Sequence, residues 1–411
     1  MMTGTEHEYS INSPGFVPLP ESDLILGELA GRTVSEVPFG SVTLSKELQK
    51  TVIEFIPRSP SRSLETLERG VYSGIREFYR CFGDRYRLLG LGMHPTLRLD
   101  QTAVWDHDEG EYYEIYDRLF SLRQHGWLNI QALQANIEYR SEHEMVELFN
   151  RARTLIPYLV AICASSPFVE GAVGDAKDCR LLYYRRNQEK IPIICNGIVP
   201  ERLKTAADYR RYQEETYREL RSLGGDCLCE EWVASSGVII RFSRPCIEIK
   251  ALDEQECVHS DIAVCAFVRA LLRNPPAWLE DDRDGLVSLT EEAIRHGTAR
   301  MKPELERLFS AALDSATAKE RRYLPVIESR IRDGCLAELM LAEWRETHDL
   351  PGIMHRMAAS LRENRPYSGD PELLCPPREE EGDQESCDRE QHADCRHFMV
   401  NLREKIGRAH V

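Results

Sequence analysis

Four glutamates sit in strand-like, largely apolar stretches of this chain, and that placement restricts what it can fold into. Thr5-Glu6-His7-Glu8-Tyr9-Ser10-Ile11 lies near the start, Val52-Ile53-Glu54-Phe55 follows, and Cys246-Ile247-Glu248-Ile249-Lys250 comes far downstream. Side chains alternate faces along a strand, so Glu6 and Glu8 share one face and Glu248 shares one with Lys250. Burying such charges is costly unless a cation or polar ligand compensates. For clustered carboxylates the simplest compensation is Mg²⁺, which takes hard oxygen ligands and often shares them with phosphates. Taken singly, each glutamate also reads as a solvated edge-strand charge or an ion-pair partner. Together they point to a metal cluster and nucleotide-dependent chemistry on a sheet.

Composition narrows the alternatives. The chain has 411 residues, 42% hydrophobic, enough for a sizeable core. Its formal charge of -16 argues against sequence-independent nucleic-acid binding, which needs Lys and Arg against phosphates. No apolar run reaches membrane-spanning length, and the N-terminus has no signal-peptide pattern. The 13 cysteines follow no regular framework, and Cys163, Cys246 and Cys265 lie in apolar contexts. That fits a cytoplasmic protein with free thiols.

Strands are predicted at 5–11, 50–56, 87–92, 128–138, 191–195, 237–242 and 246–252. Ser243-Arg244-Pro245 is short enough to join the last two as an antiparallel hairpin. Helices are predicted at 62–81, 111–123 and 142–164, where Pro157 should kink or divide the helix. After Leu252 the patterns are helical, near 258–273, 289–297, 302–333 and 336–347. This order is no βαβ alternation, and it predicts an α+β fold with an antiparallel sheet and a mainly helical C-terminal part. Residues 1–365 read as one domain. Residues 366–411 read as an acidic, disordered tail, with eight acids and three arginines in 378–396. Ile406–Val411 matches the translation of a sequencing-adapter stretch and is set aside.

Other motifs carry weaker signals. Gly90-Leu91-Gly92-Met93-His94-Pro95 ends a strand; it reads as a close backbone approach to a ligand with His94 at the rim, or as a plain turn. Residues 177–188 form a basic patch in which Arg180, Arg185 and Arg186 are suited to phosphate or carboxylate, or to a solvated face. The spacings of Cys227 and Cys229, and of Cys375, Cys387, Cys395 and His397, do not fit a common zinc module.

Six segments, in order, resemble the glutamate–cysteine ligase family, in its bacterial and archaeal carboxylate–amine ligase branch. They are Gly4-Thr5-Glu6-His7-Glu8, Val52-Ile53-Glu54-Phe55, Gly90–Pro95, Leu133-Gln134-Ala135-Asn136-Ile137, Ala164-Ser165-Ser166-Pro167-Phe168, and Ile247–Asp253. The resemblance implies a glutamine-synthetase-like fold with an antiparallel sheet cupping the site. It implies ATP and Mg²⁺, with glutamate as acyl substrate and cysteine as amine. Carried over, Glu6, Glu8, Glu54 and Glu248 are metal ligands. Lys250 and Arg180 are catalytic contacts to phosphate, and His94, Gln134, Asn136 and Arg185 bind nucleotide or substrate.

The implied chemistry is physically coherent. A carboxylate does not acylate an amine at neutral pH, because its oxide is a poor leaving group. Phosphorylation supplies a better one, and phosphoryl transfer needs mainly positioning and charge neutralisation. The chain departs from the pattern at Gln134 and Asn136, where relatives carry histidine. It departs again at Lys250, which replaces an arginine, and near Gln49-Lys50, where a carboxylate is expected. These departures leave room for another amino acid and amine pair, or for an inactive nucleotide- or amino-acid-binding protein.

Overall fold

The computed structural model describes residues 1–107 and 110–367. The tail with its cysteines, from residue 368 on, lies outside the described residues.

The alternation of apolar and polar residues builds one eight-stranded sheet. Its strands are β1 (Thr3–Asn12), β2 (Glu36–Phe39), β3 (Val42–Lys46), β4 (Val52–Pro57), β5 (Arg87–Leu89) and β6 (Ala132–Glu138). A separate two-stranded hairpin follows, β7 (Phe168–Val169) and β8 (Ala172–Val173), and then β9 (Val238–Arg241) and β10 (Cys246–Asp253) return to the large sheet. The order is β2-β3-β4-β1-β6-β10-β9, with β5 also pairing β1. Every pairing is antiparallel. The fold therefore mixes helices with an antiparallel sheet.

One face of the sheet is dry. His7, Tyr9, Ile53, Phe55, Leu133, Ile247 and Ile249 point into the core and are buried. Helices Leu64–Phe82 and Glu142–Cys163 pack on this side, and helix Val258–Arg273 packs on both of them. Gly74 lets the first helix approach closely, since a Cβ there would meet Val42 Cγ2 at 2.7 Å. One continuous apolar cluster runs from Tyr9 to Leu361 and ties the helical C-terminal part to the sheet. Among the described residues no helix is long and apolar enough to cross a membrane.

Several expectations need correction. Residues 191–195 are not a strand: Pro192–Ile194 forms a 3₁₀ turn. A short apolar run cannot be told from a buried turn by periodicity alone, and Pro192 removes a ladder donor. The stretch 302–333 is three helices, Lys302–Ser315, Ala318–Arg321 and Leu324–Asp333. Thr317 caps one break by accepting from Glu320 N, and Pro325 opens the last helix. Pro157 does not divide its helix, which runs from Glu142 to Cys163. Its neighbours Ile156, Tyr158, Leu159 and Val160 are buried, and their burial offsets the missing donor. The hairpin β2–β3 and the helices Ser22–Ala30, Ala206–Ser222 and Leu350–Glu363 are additions to the expected elements.

Candidate active site

Strand register decides which polar residues meet. Glu8 lies opposite Glu54 across β1 and β4, and Ser45 of β3 lies opposite Glu54 in turn. On the other side Glu6 faces Gln134, and Glu248 faces Asn136. Directly paired residues share a face, so all four glutamates lie on the face opposite the helices. That face forms the floor of a cavity of about 670 Å³, which Glu6, Glu8, Glu54, Glu248, Gln134 and Lys250 all line.

The floor has two electrostatic halves. At the β4 end, one carboxylate oxygen from each of Glu8, Glu47 and Glu54 lies within 4.8 Å of the others. Glu8 accepts from Ala132 N at 2.8 Å and from Gln134 Nε2 at 2.9 Å. Burial and then the Glu47 charge still push the Glu8 carboxyl up to about 8. Burial, with Glu6, Glu47 and Glu8 close by, holds Glu54 well above the usual carboxylate range. Burial also raises Glu47, against the pull of Lys46. Three acids that resist ionising together form a donor set of hard oxygens, the kind that suits Mg²⁺.

At the β9–β10 end the acids meet cations. Glu248 Oε2 lies 3.0 Å from Arg241 Nη1 and 3.5 Å from Arg244 Nη2, and Lys250 Nζ lies 3.6 Å from Glu248 Oε1. Arg244 also donates to Glu6 Oε1 at 3.0 Å, where Asn136 Nδ2 donates at the same distance. Burial works against the Lys250 charge, but Glu248, Tyr184 and Glu6 together raise the lysine above its ordinary value. Burial likewise opposes Arg244, and Glu6 and Glu248 carry it upward.

Arg180 stands between these halves, buried and locked. Its Nε donates to Asp253 Oδ1 at 2.6 Å, and its Nη2 to the Lys250 carbonyl at 3.3 Å. Asp253 in turn accepts from Ser165 N at 2.9 Å and Ser166 Oγ at 2.7 Å. Gly92 N donates to Ser165 Oγ at 2.8 Å. The Gly-x-Gly segment has a steric reason here: a Cβ on Gly92 would fall 2.2 Å from Asp253 Cγ, and one on Gly90 2.3 Å from the Gln255 carbonyl. The glycine segment, the paired serines and Asp253 thus act as one support that aims Arg180 into the cavity. Tyr112, Tyr113, Tyr116, Trp127, Tyr184 and Trp232 add an aromatic wall to the cavity. Tyr112 and Trp232 approach with ring centroids 5.4 Å apart.

The structure brings Glu6, Glu8, Glu54, Glu248, Gln134, Lys250 and Arg180 to the cavity wall. It does not bring His94 there. That ring is fully buried, with Nε2 2.7 Å from Asn12 Oδ1 and Nδ1 accepting from Thr96 N at 3.2 Å. Burial pushes its pKa down to about 3, so it is a neutral core group. Asn136 does not line the cavity but lies beside its floor, donating to Glu6 and facing Glu248, and Arg185 turns away to pair with Glu291. Sequence reasoning missed Glu47, Arg241 and Arg244. The carboxylate sought near Gln49-Lys50 is absent there: Gln49 donates to the Ile130 carbonyl at 2.9 Å, and Lys50 pairs with Asp23 and Asp106. Glu47 brings a carboxylate to the cluster instead. Its signal was the alternation Val42-Thr-Leu44-Ser-Lys46, which marks a strand feeding Glu47 toward Glu54.

The combination of helices with an antiparallel sheet has counterparts among solved ligase structures. The model of glutamate–cysteine ligase family 2 (GCS2) matches residues 2–357, and the chain belongs to that family. An uncharacterized protein of Archaeoglobus fulgidus is 46% identical over 369 residues, covering 89% of this chain and all of its own length. A putative glutamate–cysteine ligase 2-2 of Rubrobacter xylanophilus is 24% identical over 67% of this chain and 72% of that protein. Among solved structures, the glutamate–cysteine ligase of Francisella tularensis, in complex with AMP, matches with a TM-score of 0.58 and 12% identity. That match covers 99% of this chain and 92% of the other. A bifunctional glutathione synthetase of Pasteurella multocida matches with a TM-score of 0.60 and 13% identity over 88% of this chain. The present chain covers only 52% of that enzyme. At such identities the two structures speak for the fold alone.

Proposed function

We propose that this protein is an ATP-dependent carboxylate–amine ligase that joins the side-chain carboxylate of glutamate to the amine of cysteine. The observation that carries the reading is the divided floor, where an acid cluster fit for a divalent cation adjoins a group of cations fit for phosphate oxygens. Membership of the GCS2 family supports the reaction class. Mg²⁺ held by Glu8, Glu47 and Glu54 would neutralise charge on the nucleotide's phosphates.

The chain's own residues have the following parts. Lys250, Arg241 and Arg244 face the cavity and offset negative charge on the phosphoryl group in transit. Arg180, fixed by Asp253, supplies a rigid fork for an anionic group of the substrate. A glutamate carboxylate oxygen bonds to the terminal phosphorus as the bond to ADP breaks. The amine nitrogen then bonds to the acyl carbon, phosphate leaves, and the amine proton passes to solvent. The aromatic wall excludes water that would hydrolyse the acyl phosphate.

The test is phosphate release by the purified protein with ATP, Mg²⁺ and a panel of amino acids and amines. Release that requires glutamate and cysteine together is the expected result. Release with a different pair would keep the chemistry and replace the substrates. Nucleotide binding without turnover for any pair would overturn the enzyme assignment.

A further inference from the structure

A second cavity, of about 360 Å³, lies away from the cleft. It opens where the first turn of the helix Leu64–Phe82 meets the helix Val258–Arg273 and the segment Thr317–Tyr323. Four cations line it, Arg62, Arg269, Lys319 and Arg322, against two acids, Glu65 and Glu320. The surplus of two positive charges stands out in a chain of net charge -16.

The cations are of two kinds. Arg269 is only 6% exposed. Its Nη1 donates to the Arg62 carbonyl at 3.1 Å. Its Nε lies 2.9 Å from Glu320 Oε1, yet the N–H is not aligned for a hydrogen bond. Glu320 is shared, since Arg273 Nη2 also reaches its Oε1 at 2.9 Å. Burial lowers the Arg269 pKa, and Glu320 does not fully restore it. Two arginines thus share one carboxylate. Lys319 and Arg322 are exposed, and among the described residues no hydrogen bond or ion pair holds their side chains. Ser63, Leu64 and Glu65, the start of a 19-residue helix, complete the wall and turn its positive end toward the cavity.

We infer that this cavity is a binding site for a small phosphate-bearing molecule, distinct from the ligase cleft. The chemistry fits in charge and in shape. A phosphate monoester carries about -1.5 to -2 charges at neutral pH, which matches the surplus. Its oxygens accept from arginine forks and from lysine, and the buried Arg269 supplies a desolvated donor around which the two exposed cations close. The site joins the helix Leu64–Phe82, which packs on β4 with Glu54, to the helix that follows β10 with Glu248. An occupant therefore bridges two helices, one packed on β4 and the other following β10 in the chain.

The probe is inorganic phosphate, titrated by calorimetry into the full-length protein at constant ionic strength. Because the cleft can also take phosphate, the Lys250→Ala variant is measured beside the wild type. The expected result is one phosphate-binding event that persists in Lys250→Ala and weakens by about tenfold or more in Lys319→Ala/Arg322→Ala. Both substituted residues of the double variant are exposed, so its fold is safe, and thermal unfolding checks this. Unchanged phosphate binding in the double variant, or binding lost in Lys250→Ala alone, would overturn the inference. Chloride or citrate competing as well as phosphate would also overturn it, since the site would then be a general anion sink.

Discussion

The two ends of the cleft floor hold buried glutamates in opposite ways. At the β4 end Glu8, Glu47 and Glu54 crowd one another, and burial raises the pKa of each. At the β9–β10 end Glu6 and Glu248 are met by Arg241, Arg244 and Lys250. In the sequence Glu6, Glu8, Glu54 and Glu248 look alike, each a carboxylate in a largely apolar strand. The difference lies in their cross-strand neighbours, and it teaches that acid count alone does not define a metal site. Acids without matched cations are poised to receive one; acids already paired hold cations in place for an anion.

The sharpest way to break this contrast is Glu54→Gln. It removes one carboxylate from the crowded end, and Mg²⁺-dependent phosphate release should fall by about 10²–10³-fold. The metal-free variant should be more stable than the wild type in a denaturant titration, because a costly buried acid is gone. Wild-type turnover would remove Glu54 from the site.

Comparable in size is Asp253→Asn, which strands the Arg180 guanidinium in the interior. Breaking a buried pair from one side costs about 3–5 kcal/mol, to be read from urea midpoints. A loss below about 1 kcal/mol would mean that the Gly92–Ser165–Asp253 support is not rigid.

Lys250→Ala tests the cation end directly. Losing one charged contact to phosphate should cost about 1.5–3 kcal/mol of transition-state binding, or roughly 10–100-fold in kcat/KM for ATP. The apparent Mg²⁺ requirement should stay unchanged. A shift in Mg²⁺ dependence instead would show that the two halves are not separate.

The smallest effect is on the pH dependence of stability. A carboxyl whose folded pKa lies above its unfolded value binds more protons when folded, so stability falls as pH rises between the two values. For Glu8 that window runs from 4.5 to about 8. The melting temperature of the metal-free protein should decline across it, and Glu8→Gln should flatten the decline. Mg²⁺ should raise the melting temperature most at the upper end, where the carboxylates are ionised. An identical pH profile for wild type and variant would contradict the raised value.

The strands that carry Glu6, Glu8 and Glu248, and the facing of those residues, were legible because period-two alternation survives in a sheet with one dry face. The β9–β10 hairpin was legible from Ser243-Arg244-Pro245, and Cys246 does pair with Arg241. His94 was not legible, since a histidine beside Gly and Pro looks the same at a rim or in the core. Arg180 and Arg185 sit five residues apart in one basic patch, yet one is locked behind Lys250 and the other pairs with Glu291. The helix Cys179–Tyr184 rotates them to different sides, and no local pattern encodes which side meets Asp253.

Local chemistry along the chain was enough to set an antiparallel sheet with acids on its polar face and a helical remainder. It also carried the six ordered motifs by which the family is recognised. Which acids would crowd together and which would find cations was decided by strand order and register, which join residues more than two hundred positions apart, as in the contact of Arg244 with Glu6. Coulomb energies depend on distance and burial, and both exist only once the chain has closed on itself.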